Sequence, residues 1–231
     1  MADPLVLLPG LLCDARLFAA QLPALSAETE VTVADLARDG TIGAMAERVL
    51  ATAPARFALA GLSMGGYVAF EILRNAPERV ARLALLDTQA RADTEEALAR
   101  RRGLMQLAEK GEFKGVSPRL MPFFIHRDRL GDRELTGTVQ AMAESVGRDG
   151  FLRQQAAIMA RPDSRPDLPA IACPTLVLAG REDAVTPPER QHEMATAIPD
   201  ATLVLLPRCG HLSPLERPEA VARQLLLWLS A

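Results

Sequence analysis

Residues 61–66 read Gly-Leu-Ser-Met-Gly-Gly, and they stand between a short apolar run at 57–60 and a helix predicted over 67–73. A serine flanked by glycines at this spacing is typical of a sharp strand-to-helix turn. A turn that raises the Ser63 hydroxyl off the sheet leaves room only for hydrogen at the flanking positions. A plain glycine-rich turn is the alternative interpretation. The strand before the motif and the helix after it favour a nucleophilic serine at the end of a strand.

Apolar runs like the one before this motif recur along the chain. They occupy residues 5–8, 31–33, 83–86, 175–178 and 203–206. Each run is apolar on both faces, which fits strands buried between two helical layers of a parallel sheet. The segments between the runs have helical spacing, as in residues 42–50, where apolar positions repeat at intervals of three and four. This alternation predicts an α/β fold with a mostly parallel sheet of about six strands flanked by helices.

The alternation stops between residues 88 and 169, where no comparable apolar run occurs. The patterns within this segment are helical, at 94–109, 120–125, 134–146 and 151–160. A connection of this length inside a compact α/β domain is usually a functional lid. We therefore predict a helical cap at residues 88–169, inserted into a core formed by residues 1–87 and 170–231.

A serine hydroxyl is a poor nucleophile at neutral pH unless a base accepts its proton, and the chain has three histidines for that role. His126 lies in the predicted cap. His192 lies inside a helix predicted at 188–198, where a solvent-facing imidazole is common. His211 follows the last predicted strand, at the edge where the active sites of parallel sheets collect. We therefore predict that His211 is the base.

A catalytic imidazole also needs a carboxylate that fixes its tautomer and stabilises its charged form. Asp183 lies in the loop after the apolar run at 175–178, so it opens onto the same edge as His211. Its neighbour Glu182 and the strand-terminal Asp87 are the alternatives. We predict that Asp183 is the acid.

These residues together resemble the α/β-hydrolase superfamily, specifically its small esterase-like members with a helical cap. The order Ser63, Asp183, His211 matches the order of that family's catalytic triad, and further matching phrases lie at residues 7–12 and 210–219. The resemblance implies an α/β-hydrolase fold. It also implies that the first strand of this chain corresponds to the family's third, which leaves a sheet of about six strands.

The same resemblance implies that two backbone N–H groups, those of Met64 and Leu11, form an oxyanion hole. Met64 follows the predicted nucleophile, and Leu11 follows the first predicted strand. Many relatives have His-Gly where this chain has Pro9 and Gly10, which keeps the turn but removes a side chain that often supports the oxyanion loop. This departure concerns Leu11 and leaves Met64 unaffected.

These residues predict a serine hydrolase that cleaves a small carboxylic ester, or a related acyl bond, through an acyl-enzyme intermediate. The same three residues would also serve a carbon–carbon bond hydrolase acting on a diketone, a lactonase, an amidase or a lyase. A ligand receptor that keeps the fold without turnover is an alternative from another class. A haloalkane dehalogenase is disfavoured, because by family resemblance that chemistry has a carboxylate in place of Ser63.

The composition limits the partners that can be expected. A formal net charge of −3 gives no reason to expect nucleic acid or an anionic membrane as partner, since both attract clustered positive charge. The longest apolar runs are far shorter than the roughly 20 residues of a membrane span. Without a Gly-x-Gly-x-x-Gly motif, a P-loop or a His–Cys cluster, neither a cofactor nor a metal is expected. Residues 1–4 lack the basic start of a signal peptide, so we expect a cytoplasmic monomer or homodimer that acts on a small-molecule acyl substrate.

Overall fold

A single parallel sheet of six strands organises residues 3–230, which are the residues that the computed structural model describes. In chain order the strands are β1 (Leu5–Leu8), β2 (Val31–Val33), β3 (Phe57–Leu62), β4 (Val80–Leu86), β5 (Thr175–Gly180) and β6 (Ala201–Leu206). Their order across the sheet is β2-β1-β3-β4-β5-β6, and each neighbouring pair is parallel. Every predicted apolar run forms a strand, and the predicted parallel sheet is confirmed.

The described part of the chain also contains nine α-helices. In chain order they are α1 (Leu22–Ser26), α2 (Ile42–Thr52), α3 (Met64–Asn75), α4 (Glu95–Leu107), α5 (Met121–Phe124), α6 (Arg133–Met159), α7 (Pro188–Ala197), α8 (Ser213–Glu216) and α9 (Pro218–Ser230). Helix α2 begins after Thr41, because the Thr41 hydroxyl oxygen accepts a hydrogen bond from the Ala44 N–H at 3.1 Å, a typical N-cap. None of the helices in this part of the chain combines the length and apolar composition that a membrane span needs.

Helices cover both faces of the sheet, as the two-sided burial of the strands requires. In β1, Leu5 and Leu7 pack in one apolar cluster with residues of α1 and α9, while Val6 and Leu8 pack in a second cluster with residues of α2 and α3. Each fully buried leucine contributes about 1.5–3 kcal/mol of hydrophobic stabilisation. Because all strands are parallel, their carboxyl ends meet at one edge, and the loops that leave them converge there.

Residues 88–169 contain α4, α5 and α6 and no strand. From α6, Leu135, Val139 and Met142 pack in one apolar cluster with Leu12, which follows β1, and with Leu62, the last residue of β3. These contacts place α6 over the edge where the strands end. The division of the chain into core and cap stays a prediction.

Helix α6 is longer than the sequence pattern indicates. The pattern predicts separate helices over 134–146 and 151–160, whereas the structure has one element that runs from Arg133 to Met159. Gly147 inside it adopts φ 69° and ψ 179°, a backbone conformation that glycine tolerates and other residues avoid. The two predicted helices therefore meet at a break within α6 instead of being joined by a loop.

Candidate active site

Ser63 lies in a strained turn between β3 and α3. Its backbone adopts φ 53° and ψ −112°, a region that residues with a Cβ rarely occupy. The turn is held at both ends, because the Ser63 N–H donates to the Leu86 carbonyl oxygen at 2.9 Å and the Ser63 carbonyl accepts from the Thr88 hydroxyl at 2.7 Å. These bonds fix Ser63 at the edge of the sheet, in the strand-to-helix turn that the glycine spacing predicts.

The glycines on either side of Ser63 are required by close backbone contacts. A Cβ at Gly61 would overlap the carbonyl oxygen of Gly65, and a Cβ at Gly65 would overlap the carbonyl oxygen of Leu8. Both obstacles are backbone atoms, which cannot rotate away as the end of a side chain can. The turn therefore forms only with hydrogen at these two positions.

We expect Gly65→Ala to destabilise the protein by about 3 kcal/mol, because the added methyl group overlaps the backbone of β1. Urea unfolding followed by circular dichroism measures the loss. Gly103→Ala is the matched control, since Gly103 lies in α4, where among the described residues no neighbouring atom lies within 4 Å of an added methyl group. This control change is expected to stabilise the protein by about 0.5–1 kcal/mol. An unchanged free energy of unfolding in Gly65→Ala would contradict the close packing of the turn.

The side chains of Ser63, His211 and Asp183 form a continuous hydrogen-bonded chain. Nε2 of His211 lies 2.9 Å from Oγ of Ser63, and Nδ1 of His211 lies 2.8 Å from Oδ2 of Asp183. An ionised carboxylate can only accept a hydrogen bond, so Nδ1 carries the proton and Nε2 is free to accept the serine proton. All three residues are buried, with exposed fractions of 9%, 3% and 3%. The structure thus brings together the three residues predicted from the sequence, in the order that general-base activation of a serine needs.

Asp183 is held as a carboxylate by its own loop. Oδ1 accepts hydrogen bonds from the backbone N–H groups of Val185 at 2.8 Å and Thr186 at 3.0 Å, and Oδ2 accepts one from the Thr186 hydroxyl at 2.7 Å. Burial favours the protonated acid, but the nearby His211 and these donors outweigh it, so the pKa of Asp183 is lowered. The side chain is therefore charged and fixed in orientation.

The environment of His211 favours its charged form. Burial acts against an imidazolium, but the Asp183 carboxylate outweighs it, with further contributions from Asp87 and Glu216, and the pKa of His211 is raised. The imidazole also lies near the ring of Phe124, with 6.3 Å between the ring centroids. The site can therefore stabilise the imidazolium that forms when His211 takes a proton from a serine.

Asp87, the strand-terminal alternative for the acid, uses its carboxyl group elsewhere. One oxygen accepts a hydrogen bond from the Gly180 N–H at 2.8 Å, and the other accepts one from the Ser213 hydroxyl. Burial, reinforced by the charge of Asp183, raises the pKa of Asp87 well above its usual value. The geometry therefore favours Asp183 over Asp87 as the partner of His211.

The remaining candidates also have other surroundings. Glu182 accepts a hydrogen bond from the Cys209 N–H at 3.0 Å, and Nδ1 of His126 accepts one from the Asp128 N–H at 3.2 Å. His192 is exposed on α7. Glu182 and His126 thus support loops, while His192 faces solvent.

The two residues predicted for the oxyanion hole adjoin Ser63. Met64 is the first residue of α3, where backbone N–H groups have no partner within the helix. Leu11 lies in the turn after β1, and a Cβ added to the preceding Gly10 would lie 3.4 Å from the Cβ of Ser63. The two backbone segments therefore flank the serine, and their role as donors stays a prediction.

The loop that carries His211 is held by residues that the sequence pattern does not predict. The buried carboxylate of Glu216 accepts hydrogen bonds from the N–H groups of Gly210 at 2.9 Å and His126 at 2.6 Å. The carbonyl oxygen of Phe124 accepts one from the N–H of His211 at 2.9 Å. The bonds that involve His126 and Phe124 join segments that are far apart in the sequence, so a local pattern gives no signal for them. Residues of the predicted cap thus hold the histidine loop in place.

Two comparisons with known proteins extend over nearly the whole chain. A family model described as the alpha/beta hydrolase family matches residues 5–224. The solved structure of a thermophilic esterase from Thermogutta terrifontis is similar to this chain at 33% identity and a TM-score of 0.88, covering 100% of this chain and 90% of that one. Both matches therefore extend over nearly the whole length of the fold.

Two further relatives have comparable coverage. The structure of the enol-lactonase from Burkholderia xenovorans LB400 is similar at 27% identity and a TM-score of 0.90, covering 100% of this chain and 92% of that one. A pimeloyl-acyl-carrier protein methyl ester esterase of Aromatoleum aromaticum is 28% identical over 236 residues, which covers 94% of each protein. Both likenesses extend well beyond the residues around the serine.

Proposed function

Because the chain belongs to the alpha/beta hydrolase family, we propose that it hydrolyses a small carboxylic ester through an acyl-enzyme intermediate on Ser63. The observation that carries this proposal is the hydrogen-bonded chain from the Ser63 hydroxyl through His211 to Asp183, with links of 2.9 and 2.8 Å. Two of the relatives are named as esterases, which supports the same class of reaction.

Formation of the acyl-enzyme uses each of these side chains once. Oγ of Ser63 attacks the ester carbonyl carbon while Nε2 of His211 removes the hydroxyl proton. The carbonyl oxygen becomes an oxyanion, and the Asp183 carboxylate stabilises the imidazolium. When the carbonyl re-forms, the bond to the alcohol breaks, and the alcohol leaves with the proton from His211. Ser63 is then acylated.

Hydrolysis of the acyl-enzyme reverses these roles. His211 takes a proton from a water molecule as the water oxygen attacks the acyl carbon, and it returns that proton to Oγ of Ser63 as the carboxylic acid leaves. The backbone N–H groups of Met64 and Leu11 would stabilise the oxyanion in both steps, typically by about 3 kcal/mol for each donor. The free enzyme is restored without a cofactor.

We assign residues 88–169 the role of a helical cap over this site. The support is that α6 packs on residues at the carboxyl ends of β1 and β3, and that Phe124 bonds the His211 loop. With 9% of Ser63 exposed, access of a substrate to Oγ depends on the helices at this edge of the sheet. This arrangement suits a small-molecule acyl substrate.

Opening of a lactone is the second candidate, because the enol-lactonase is similar to this chain over its full length. A lactone is a cyclic ester, so the attack by Ser63 and the proton transfers of His211 are the same. The difference is that the leaving alcohol stays joined to the acyl group. Only the substrate separates the two candidates.

A series of p-nitrophenyl esters from acetate to long acyl chains, together with labelling by a fluorophosphonate, tests this proposal. Release of nitrophenolate and mass addition on the peptide that contains Ser63 are the expected results. Labelling without ester turnover would direct the search to lactones and diketones. The absence of both fluorophosphonate labelling and turnover of every one of these compounds would overturn the proposal.

Cys209 lies two residues before His211 and is not part of this mechanism. Burial raises the pKa of its thiol, and the nearby Asp87 and Glu216 raise it further, so the thiol is protonated and unreactive. Among the residues that the structure describes, no three His, Cys, Asp or Glu side chains are grouped to hold a metal ion. We expect Cys209→Ser to keep kcat/KM within about fivefold, equivalent to about 1 kcal/mol. Loss of fluorophosphonate labelling in Cys209→Ser would contradict this expectation.

A further inference from the structure

The turn after β1 has an unfavourable backbone conformation. The Cys13 N–H donates to the Gly10 carbonyl oxygen at 3.2 Å, so residues 10–13 form a hydrogen-bonded β-turn. Leu12, the third residue of the turn, has φ 59°, whereas Leu11 is not among the residues with positive φ. This combination is the type II pattern, which normally has glycine at its third position. A leucine is strained there, so another interaction must select this conformation.

The side chain of Gln154 provides that interaction. Gln154 lies on α6 with an exposed fraction of 0%. Its Oε1 accepts a hydrogen bond from the Leu12 N–H at 3.0 Å, and its Nε2 donates one to the Leu36 carbonyl oxygen at 3.2 Å. One partner is a donor and the other an acceptor, so only one orientation of the amide satisfies both. The Gln154 amide is therefore fixed, and it fixes the Leu12 N–H.

Rotation of the peptide between Leu11 and Leu12 would relieve the strain. It converts a type II turn into a type I turn, in which the third residue has an ordinary negative φ. The same rotation turns the Leu12 N–H away from Gln154 and leaves the buried Oε1 without its donor, which is costly. The Cys13 thiol also contacts the Leu11 carbonyl oxygen at 3.5 Å, but a thiol is a weak donor. Gln154 is thus the main obstacle to this rotation.

We propose that Gln154 is a positioning residue that holds the turn at residues 10–13 in the conformation needed to stabilise the oxyanion. The inference rests on the proposed function, in which the Leu11 N–H faces the developing charge. The turn is packed against the nucleophile, since a Cβ on Gly10 would lie 3.4 Å from the Cβ of Ser63. The flip itself turns the Leu12 N–H, but Leu11 is shared by the rotated peptide and by the peptide that carries the oxyanion donor. Loss of the fixed turn therefore releases the Leu11 N–H from its set position relative to Ser63, and we expect it to lower kcat more than it changes substrate binding.

The neighbours of Gln154 show that this contact is specific to one side chain of α6. Arg153 donates from Nε to the Ala37 carbonyl oxygen at 2.9 Å, so it joins α6 to the loop after β2. Gln155 is also buried, and its Oε1 accepts from Nη1 of Arg101 on α4. Replacement of Gln155 therefore disturbs α6 to a similar degree without touching the turn.

Gln154→Met, which keeps the length of the side chain and removes its polar atoms, tests the proposal with p-nitrophenyl acetate. We expect kcat to fall by about 10–100-fold while KM changes by less than about twofold, as for a misplaced catalytic group. Gln155→Met is the matched control and is expected to keep kcat within about threefold. An unchanged kcat, or a rise in KM alone, would overturn the proposal.

A double-mutant cycle with Leu12→Gly separates positioning of the turn from a general effect on packing. Glycine adopts a positive φ without strain, so the turn no longer depends on Gln154 in this background. The second change, Gln154→Met, is then expected to lower kcat by less than about threefold. An equal loss in both backgrounds would show that Gln154 acts only through packing, and the proposal would be wrong.

Hydrogen exchange of the wild-type protein gives a test that needs neither a variant nor turnover. The Leu12 amide is expected to exchange at least about 100-fold more slowly than an unprotected amide, and exchange at the unprotected rate would overturn the proposal. Failure of the proposed function has a different signature. In that case the wild type neither hydrolyses esters nor reacts with the fluorophosphonate, whatever the protection of Leu12.

Discussion

Ser63→Ala is expected to lower kcat/KM for p-nitrophenyl esters by roughly 10⁶-fold, the loss typical of removing the nucleophile from a Ser–His–Asp site. Without Oγ no acyl-enzyme can form, and only the electrostatic environment of the site remains to assist attack by water. The fold should be unaffected, because the turn is held by the backbone N–H and carbonyl groups of Ser63 and the substitution removes the bond from Oγ to Nε2 of His211. Steady-state release of nitrophenolate measures the loss.

The control for Ser63→Ala addresses contaminating esterases, which set the lowest rate that can be measured. Ser230→Ala removes a hydroxyl at the end of α9 that bonds the carbonyl oxygens of Leu226 and Leu227. Prepared in the same way, Ser230→Ala should match the wild type. Residual activity of Ser63→Ala within about tenfold of the wild type would mean that another group is the nucleophile.

The fold could be predicted because its signals are local in the sequence. Each strand is a short, mostly apolar run, and β1, β3 and β5 are buried along their whole length in the structure. The turn at Ser63 could be predicted for the same reason, since close backbone contacts restrict positions 61 and 65 to glycine. The sequence pattern also predicts two helical stretches on either side of Gly147, and the backbone of this glycine is non-helical in the structure. The pattern did not show that the second stretch follows the first without a loop.

The sequence predicts Asp183 as the acid and leaves Asp87 and Glu182 as alternatives. Asp87 follows β4 and Asp183 follows β5, and these strands are neighbours in a parallel sheet, so both carboxyl groups lie near the same edge. Their hydrogen-bond partners distinguish them in the structure: Asp183 bonds Nδ1 of His211, and Asp87 bonds the Gly180 N–H. Position along a strand therefore limits the candidates, and the contacts of each carboxyl group select among them.

Supporting residues differ in how far a sequence can reveal them. Thr186 lies three residues after Asp183 and bonds it through both hydroxyl and N–H, a local side-chain motif that an Asp-x-x-Thr spacing could indicate. Gln154 is separated from Leu12 by 142 positions, and a glutamine inside a helix is most often solvent-exposed. No local pattern points to such a contact, which depends on how α6 packs over the sheet.

Asp183→Asn is the second change with a large expected effect, a loss of about 10⁴-fold in kcat with the fold retained. The loop determines the orientation of the new amide. The N–H groups of Val185 and Thr186 both donate to Oδ1 of Asp183, so the amide oxygen of the asparagine stays there and its NH₂ group faces His211. Nδ1 must then accept, Nε2 carries the proton, and the imidazole can no longer take a proton from Ser63.

The pH dependence of Asp183→Asn gives a second readout. In the wild type the pKa of His211 is raised, because the Asp183 carboxylate outweighs the effect of burial. Only the neutral imidazole is a base, so kcat/KM falls as the pH drops through this raised pKa. Without the charge of Asp183, less stabilisation of the imidazolium remains to offset the effect of burial, so the pKa of His211 is lower. The acid limb of the profile should therefore move to lower pH in Asp183→Asn.

Asp87→Asn is the matched variant, since it makes the same change on the neighbouring strand. Burial and the charge of Asp183 already raise the pKa of Asp87 well above its usual value, so a neutral amide replaces a group whose charge is disfavoured. Its oxygen can still accept from the Gly180 N–H, and kcat should stay within about tenfold of the wild type. A 10⁴-fold loss in Asp87→Asn with a near-normal rate in Asp183→Asn would assign the acid to Asp87. His211 would then have to exchange partners between the two carboxyl groups before it could act as the base.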